Sequence, residues 1–248
     1  MTLFLHQLRF EQQIFWRTRD AAFFIFIFPP MLFLLLGSVY DGTIDGLPAA
    51  DVLLTGMLGY GSANTAFAGL AIILVVRREE AILKRIRGTP MPAATYLGSV
   101  LSSMLLVFAL QCLVMVGLGI ALFDTSLPDR TLPLLAALLV GTASFAGLGV
   151  GLAGLIRSAQ GSSAVVNAVL LPMAFLSGSF GPTRDYPRVL QAIGDVLPLK
   201  YFIDAVQDVY LRGEGLWSNL GSLAIVAAWG VAGLLVAARR FGWEPRER

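Results

Sequence analysis

The side chains able to do chemistry crowd into one stretch of an otherwise apolar chain, Arg77-Arg78-Glu79-Glu80-Ala81-Ile82-Leu83-Lys84-Arg85-Ile86-Arg87-Gly88-Thr89-Pro90. Five Lys/Arg and two Glu fall between Arg77 and Arg87, so the chemistry on offer is ion pairing. On a helix at about 100° per residue, Ile82, Leu83 and Ile86 share one face while Lys84, Arg85 and Arg87 lie off it. Glu80 precedes Lys84 by four residues, the favourable order for a helical ion pair. Gly88 supplies a C-terminal cap, and Pro90 cannot continue the helix. The stretch predicts a short amphipathic helix just outside a membrane, made to be gripped by a partner.

Elsewhere the usual chemical constellations are missing. The sequence contains no G-x-x-x-x-G-K-[ST], so no ATP site of the P-loop kind is expected, and no H-E-x-x-H, G-x-S-x-G or C-x-x-C. The single Cys112 and single His6 exclude an intrachain disulfide and histidine clusters. Asp195, Asp204 and Asp208 are the only candidates for interfacial acid–base work. Lys200, Asp204, Asp208 and Arg212 recur every fourth residue, which explains two of them as a solvated helix stripe. An enzyme is not the expectation.

The elements that must position the charged stretch follow from composition. Hydrophobic residues make up 56% of the 248, charged residues 14%, and the mean hydropathy is +0.75. Soluble domains carry about 25% charged residues, so this is an all-α integral membrane protein. The net charge of +2 gives no reason to expect nucleic acid. Six apolar runs near 21–40, 52–76, 93–122, 132–156, 164–180 and 218–238 each suit a transmembrane helix, which needs about 20 residues. As drawn, none holds Asp, Glu, Lys or Arg, so a proton-coupled carrier lacks its groups. Only Asn167–Pro172 suggests a broken helix.

Residues 1–20 read as a helix lying on the membrane. Phe4, Leu8 and Phe15, with Leu5 and Trp16 beside them, fall within roughly a 120° arc. Gln12 lies inside that arc and Glu11 at its edge. No cleavable leader is expected, because Arg9, Glu11, Arg17, Arg19 and Asp20 interrupt any early apolar core. Thirteen of the eighteen Lys/Arg fall on one side, with the two termini, the charged stretch and Arg157 of the short fourth loop, which predicts that both termini are cytoplasmic. Ala143, Gly147 and Gly151, spaced by four, predict close helix packing, within the chain by preference and between subunits as the alternative. After the fifth run, Val189, Leu190, Ile193, Val196 and Leu197, bounded by Pro187 and Pro198, predict one short amphipathic helix. The Lys200–Arg212 stripe predicts another, both dipping into or lying on the outer leaflet.

This order of elements resembles the ABC-2 type permeases, the membrane subunits of type V ABC exporters, across essentially the whole chain. The first motif is Arg78 to Pro90, similar to a family pattern of roughly R-E-x-G-T-L-x-R-x-R-x-T-P. Ala81 and Ile82 stand where Gly-Thr is usual, and both substitutes should stiffen the helix. The second is Leu176-Ser177-Gly178-Ser179-Phe180-Gly181-Pro182 followed by Leu197-Pro198-Leu199-Lys200-Tyr201-Phe202. It resembles the family's outer re-entrant hairpin, here 178–212.

The resemblance implies that 78–90 is the coupling helix, docking on a cytoplasmic ATPase subunit through Glu79, Glu80, Leu83, Lys84, Arg85 and Arg87. It implies that Gly178, Phe180, Gly181, Pro182, Pro198 and Tyr201 build the hairpin. ATP and Mg would be bound by the ATPase, present in two copies, with no cofactor or metal on this chain. A second permease, identical or related, would complete the exporter in the inner cell membrane. Among the family's branches the drug-resistance and antibiotic exporters are most similar, with an amphiphilic drug or lipid-like substrate. Export of a polysaccharide or lipid-linked glycan is the alternative; Tyr40, Tyr60, Phe67, Phe108, Phe145 and Phe175 are available but scattered. A non-transporting membrane anchor or sensor for an ATPase is the alternative from another class.

Overall fold

Among the described residues of the computed structural model, length and hydropathy pick out six helical spans able to cross a membrane: Ala22–Val39, Ala49–Glu79, Ala93–Phe123, Thr131–Leu155, Ala159–Leu176 and Leu220–Arg240. The structure describes residues 2–40, 42–128 and 130–244; Asp41, Arg246 and Arg248, which enter the charge count, lie outside these. Ahead of the spans, α1 (Thr2–Arg17) packs along the third of them.

Each boundary has a local cause. The first span is not one helix but α2 (Arg19–Phe26) and α3 (Phe28–Val39), separated at Ile27. Pro29 and Pro30 lack the N–H groups a continuous helix needs there, so they open a new helix instead. A two-stranded hairpin, β1 (Thr43–Ile44) and β2 (Leu47–Pro48), leads to the second span.

That span is α4 (Ala49–Ser62), a π-helical turn at Ala63–Gly69, then α5 (Leu70–Glu79). It is longer than the apolar run 52–76 and holds Asp51, Arg77, Arg78 and Glu79. At about 1.5 Å per residue its 31 residues reach roughly 46 Å, well beyond the ~30 Å hydrocarbon core. The charged ends therefore need not sit in lipid.

The charged helix is shorter than 78–90: α6 spans Ile82–Arg87 only, because α5 runs on to Glu79 and the chain turns at Glu80–Ala81. The remaining spans are α7 (Ala93–Phe123), α8 (Thr131–Leu155), α9 (Ala159–Leu176) and α12 (Leu220–Arg240). The fifth starts at Ala159 rather than 164 and keeps Pro172 within an unbroken helix; Ser177–Phe180 is a tight turn beyond it. Between the last two spans stand α10 (Arg188–Gly194) and α11 (Pro198–Leu211).

The second and fourth spans form the centre, with 72% and 61% of their apolar windows buried against 22–28% for the others. In lipid, apolar burial does not by itself bring helices together, so close backbone approach must. Gly147 and Gly151 face Gly230 and Gly233 so tightly that a Cβ on Gly147 would lie 2.6 Å from the Gly230 carbonyl oxygen. One on Gly151 would lie 2.5 Å from that of Gly233. The small-residue stripe serves packing within the chain, α8 against α12. Gly149 admits the π-helical turn in the same way: a Cβ there would lie 2.7 Å from the Phe67 carbonyl oxygen.

Candidate partner-docking site

At the end of α5 three consecutive charged residues each engage a different element. Arg77 donates to both carboxylate oxygens of Glu11 on α1, at 2.9 and 2.5 Å, and to the Tyr96 hydroxyl on α7 at 2.6 Å. Glu11, Arg77 and Tyr96 are all buried, so the pair is shielded and bidentate, the geometry in which a buried ion pair is worth having. Arg78, 1% exposed, donates to the carbonyls of Ala153 and Ile156 at 2.9 and 2.5 Å. These belong to the last turn and cap of α8, where carbonyls lack helical partners and the helix dipole favours a cation. Glu79 accepts from the backbone N–H of Ala159, the first residue of α9, where the dipole favours an anion.

Ala81 then takes a left-handed conformation, φ +57°, and separates α5 from α6. This is the position where the family pattern carries glycine. The chain turns here and α5 and α6 are separate helices, not the stiffened helix expected from Ala81 and Ile82. Glu80 caps α5 and does not share a helix with Lys84, so the expected helical ion pair is not formed. Lys84 instead lies 3.8 Å from Glu244, with both side chains exposed. Leu83 is wholly buried, and Glu80, Lys84, Arg85 and Arg87 are exposed. The result is a short helix anchored by Leu83, with Ile86 half-buried beside it, presenting three cations outward beside Glu80. Chemically it suits an acidic or polar groove on another polypeptide. Glu79, turned to α9, stands apart from that face.

Helix α1 meets the bundle through the residues that spoiled its apolar arc. Besides Glu11, the Gln12 amide donates to the carbonyl and hydroxyl of Ser103 on α7, at 2.9 and 2.8 Å. Leu3, Leu5, Phe10 and Trp16 are exposed. Phe4, Leu8 and Phe15 are half-buried on the same side as Glu11 and Gln12, so α1 attaches through that mixed face and leaves its flanking apolar residues uncovered, as suits a helix whose other neighbour is lipid.

At the opposite end of the bundle, Gly178 and Gly181 have φ +80° and +144°, backbone that side-chain-bearing residues rarely adopt. A Cβ on Gly181 would also sit 3.0 Å from the Tyr40 hydroxyl. Phe180 packs between Tyr60 and Phe175, with ring centroids 5.2 and 4.8 Å away, and Pro182 follows the turn. The turn presses on the second span, leaving room for no Cβ on Gly56, 2.7 Å from the Ser179 carbonyl. Pro198 opens α11 and is buried; the Tyr201 hydroxyl donates to the Asp195 carbonyl at 2.7 Å, beside a Lys200–Asp195 ion pair. Val189, Ile193 and Val196 of the α10 region are exposed, whereas Phe202, Val206, Val209 and Tyr210 of α11 are buried. The Tyr210 hydroxyl donates to the Ser126 carbonyl at 2.9 Å. Burial, with Asp51 nearby, pushes the phenol up to about 12, so it remains a donor at neutral pH.

Two features escaped the sequence reading. Tyr96 closes the Arg77–Glu11 pair, yet nothing in an apolar run marks it. Gln111 is 2% exposed in α7, its amide nitrogen without a hydrogen-bond partner and its oxygen 3.5 Å from the Thr65 hydroxyl on the π-helical turn. A scan for ionised residues passes over a neutral amide. Nearby, the Ser62 and Thr142 hydroxyls meet at 3.0 Å, joining the second and fourth spans.

Comparison with known proteins agrees in kind with this architecture. Residues 2–211 match the family described as ABC-2 type transporter. The chain is similar to YvfS of Bacillus subtilis (strain 168), named as a transport permease: 25% identical over 168 residues, 67% of this chain and 68% of that protein. It is also similar to YbhR of Escherichia coli (strain K12), named as a multidrug ABC transporter permease. There the identity is 22% over 155 residues, 61% of this chain and 42% of the relative, so the chain spans less than half of that protein's length.

Proposed function

The chain belongs to the ABC-2 type transporter family, and from that premise we propose that it is the permease of an ATP-driven exporter moving an amphiphilic drug or lipid-like molecule outward. It has the membrane-spanning half of such a machine and no P-loop, so the energy comes from a separate ATPase that binds ATP and Mg. Two copies of that ATPase serve two permease chains. The observation that carries the reading is α6: Leu83 anchors it while Lys84, Arg85 and Arg87 project from the end of the bundle that also holds both ends of the described chain. A cytoplasmic ATPase gripping this helix would pull directly on the longest-reaching end of the second span. The protein lies in the inner cell membrane with that end cytoplasmic, an orientation that the excess of Lys/Arg there supports. The turn at Gly178–Gly181 and helices α10 and α11 then form an outer re-entrant hairpin, the exposed Val189, Ile193 and Val196 meeting lipid. A drug-like substrate is supported by the similarity to the Escherichia coli relative, which is named as a multidrug permease.

The test is purification of the tagged chain in mild detergent, with ATP hydrolysis read on the eluate and export of lipophilic dyes read in inverted vesicles. Co-purification of an ATPase whose hydrolysis is stimulated by an exported dye is the expected result. A chain recovered alone from cells expressing its genomic neighbours refutes the reading. An ATPase that hydrolyses without exporting anything would make the chain an anchor.

A further inference from the structure

We infer that Arg77, Arg78 and Glu79 form a transmission joint, in which Arg78 and Glu79 deliver displacement of α6 to the elbow between α8 and α9 while Arg77 ties the same helix end to α1 and α7. The inference rests on the proposal that an ATPase docks on α6 and moves it. The three residues precede the left-handed turn at Ala81, so they are the last part of α5 before the docked helix. Arg77 grips α1 and α7 through Glu11 and Tyr96. Arg78 grips the end of α8 through the Ala153 and Ile156 carbonyls. Glu79 grips the start of α9 through the Ala159 N–H. Only Ile156, Arg157 and Ser158 separate α8 from α9, so Arg78 and Glu79 hold the two sides of a three-residue elbow from adjacent positions on one helix.

The charges are matched to what they hold. A guanidinium sits on orphan carbonyls at a helix C-terminus and a carboxylate on an amide at a helix N-terminus. If α5 tilts or rotates, one residue draws on α8 while its neighbour draws on α9. Relative motion of the fourth and fifth spans is the natural output, and these contacts are the route. A merely structural clamp would hold the elbow in one place regardless of nucleotide.

The experiment follows the elbow itself. In the assembled complex, on a Cys112→Ala background, the exposed Arg157 is replaced by Cys and its maleimide modification rate is measured with and without ATP and vanadate. Glu79→Gln keeps an oxygen acceptor for the Ala159 N–H, and Glu79→Ala removes it; Arg78→Lys and Arg78→Met form the matching pair. The expected result is a nucleotide-dependent rate in the parent and in Glu79→Gln. In Glu79→Ala the response falls roughly tenfold, as loss of a charge-assisted hydrogen bond allows, while the ATPase stays bound. The amount of substrate moved per ATP falls with it. Because the Glu79 side chain is exposed, its variants read out even if Arg78→Met fails to insert. An undiminished response in Glu79→Ala overturns the joint and leaves the docking proposal standing. Loss of the ATPase from Glu79→Ala overturns it too, by placing Glu79 in the docking face. Absence of any ATPase from the parent eluate removes both.

Discussion

The carboxylate of Glu11 and the guanidinium of Arg77, 66 positions apart in sequence, meet in a two-pronged pair at 2.9 and 2.5 Å with almost no access to solvent. The pair ties a helix preceding all six spans to the elbow that follows the second. Removing one partner leaves the other charge buried and unpaired, which costs about 3–5 kcal/mol. Glu11→Ala should therefore lower the thermal unfolding midpoint of the detergent-solubilised protein sharply, and Glu11→Gln less. Equal midpoints for wild type and Glu11→Ala would show that α1 is not held by this contact.

Ala81 pays a conformational toll for lying at φ +57°, about 1–2 kcal/mol for an L-residue in the left-handed region. Ala81→Gly should raise stability by up to about 1 kcal/mol once the glycine's extra freedom in the unfolded chain is subtracted. Thermal midpoints of the two proteins in one detergent decide it; a fall on substitution contradicts the left-handed turn.

Reversing the charges of Lys84 and Arg85 to Glu should abolish ATPase capture without affecting membrane insertion. Both side chains are exposed, and neither belongs to a span. Insertion is read from membrane fractions, capture from the eluate. Export at the wild-type rate by the double variant would remove α6 from the coupling route.

Gly147 and Gly151 of α8 differ from Gly117 of α7 and Gly221 of α12 in what faces them. Gly147→Leu and Gly151→Leu drive side chains into the α12 backbone and should cost at least ~3 kcal/mol, the upper range for overpacking. Gly117→Leu and Gly221→Leu have nothing within 4 Å of the new Cβ and should change stability by less than about 0.5 kcal/mol. Size-exclusion profiles and thermal midpoints of the four variants should split two and two.

Gly178→Leu and Gly181→Leu impose a side chain on backbone at φ +80° and +144°. Export should fall while the ATPase remains bound, because the turn lies at the end of the bundle away from α6. Failure of the variants to assemble at all would make the turn a folding element rather than part of the path.

Much of the architecture was legible because each span writes its length into apolar composition, and the fourth-helix glycines write their spacing into the chain. The helix ends were less so. The apolar run stops at Val76, but the helix continues to Glu79 because Arg77, Arg78 and Glu79 find partners brought in from residues 11, 96, 153, 156 and 159. Tertiary partners of this kind leave no local pattern. Glu11 and Gln12 looked like blemishes in an amphipathic face and are the residues that attach it. Pro29-Pro30 was an available signal for the break in the first span. The exposed cations of α6 are legible at once, since exposed charge needs no partner to be noticed.

The π-helical turn at Ala63–Gly69 sets the phase of the second span. A π turn accommodates an additional residue relative to α-helical winding, so everything beyond it points in a direction that depends on that extra position. Deleting one residue within the turn, and so returning it to α-helical winding, would leave α4 in place and swing α5 by about 100° around its axis. Arg77, Arg78 and Glu79 would then face away from α1, α8 and α9 together. The compass bearing of the charged elbow is thus fixed some ten residues upstream, in the interior of the span.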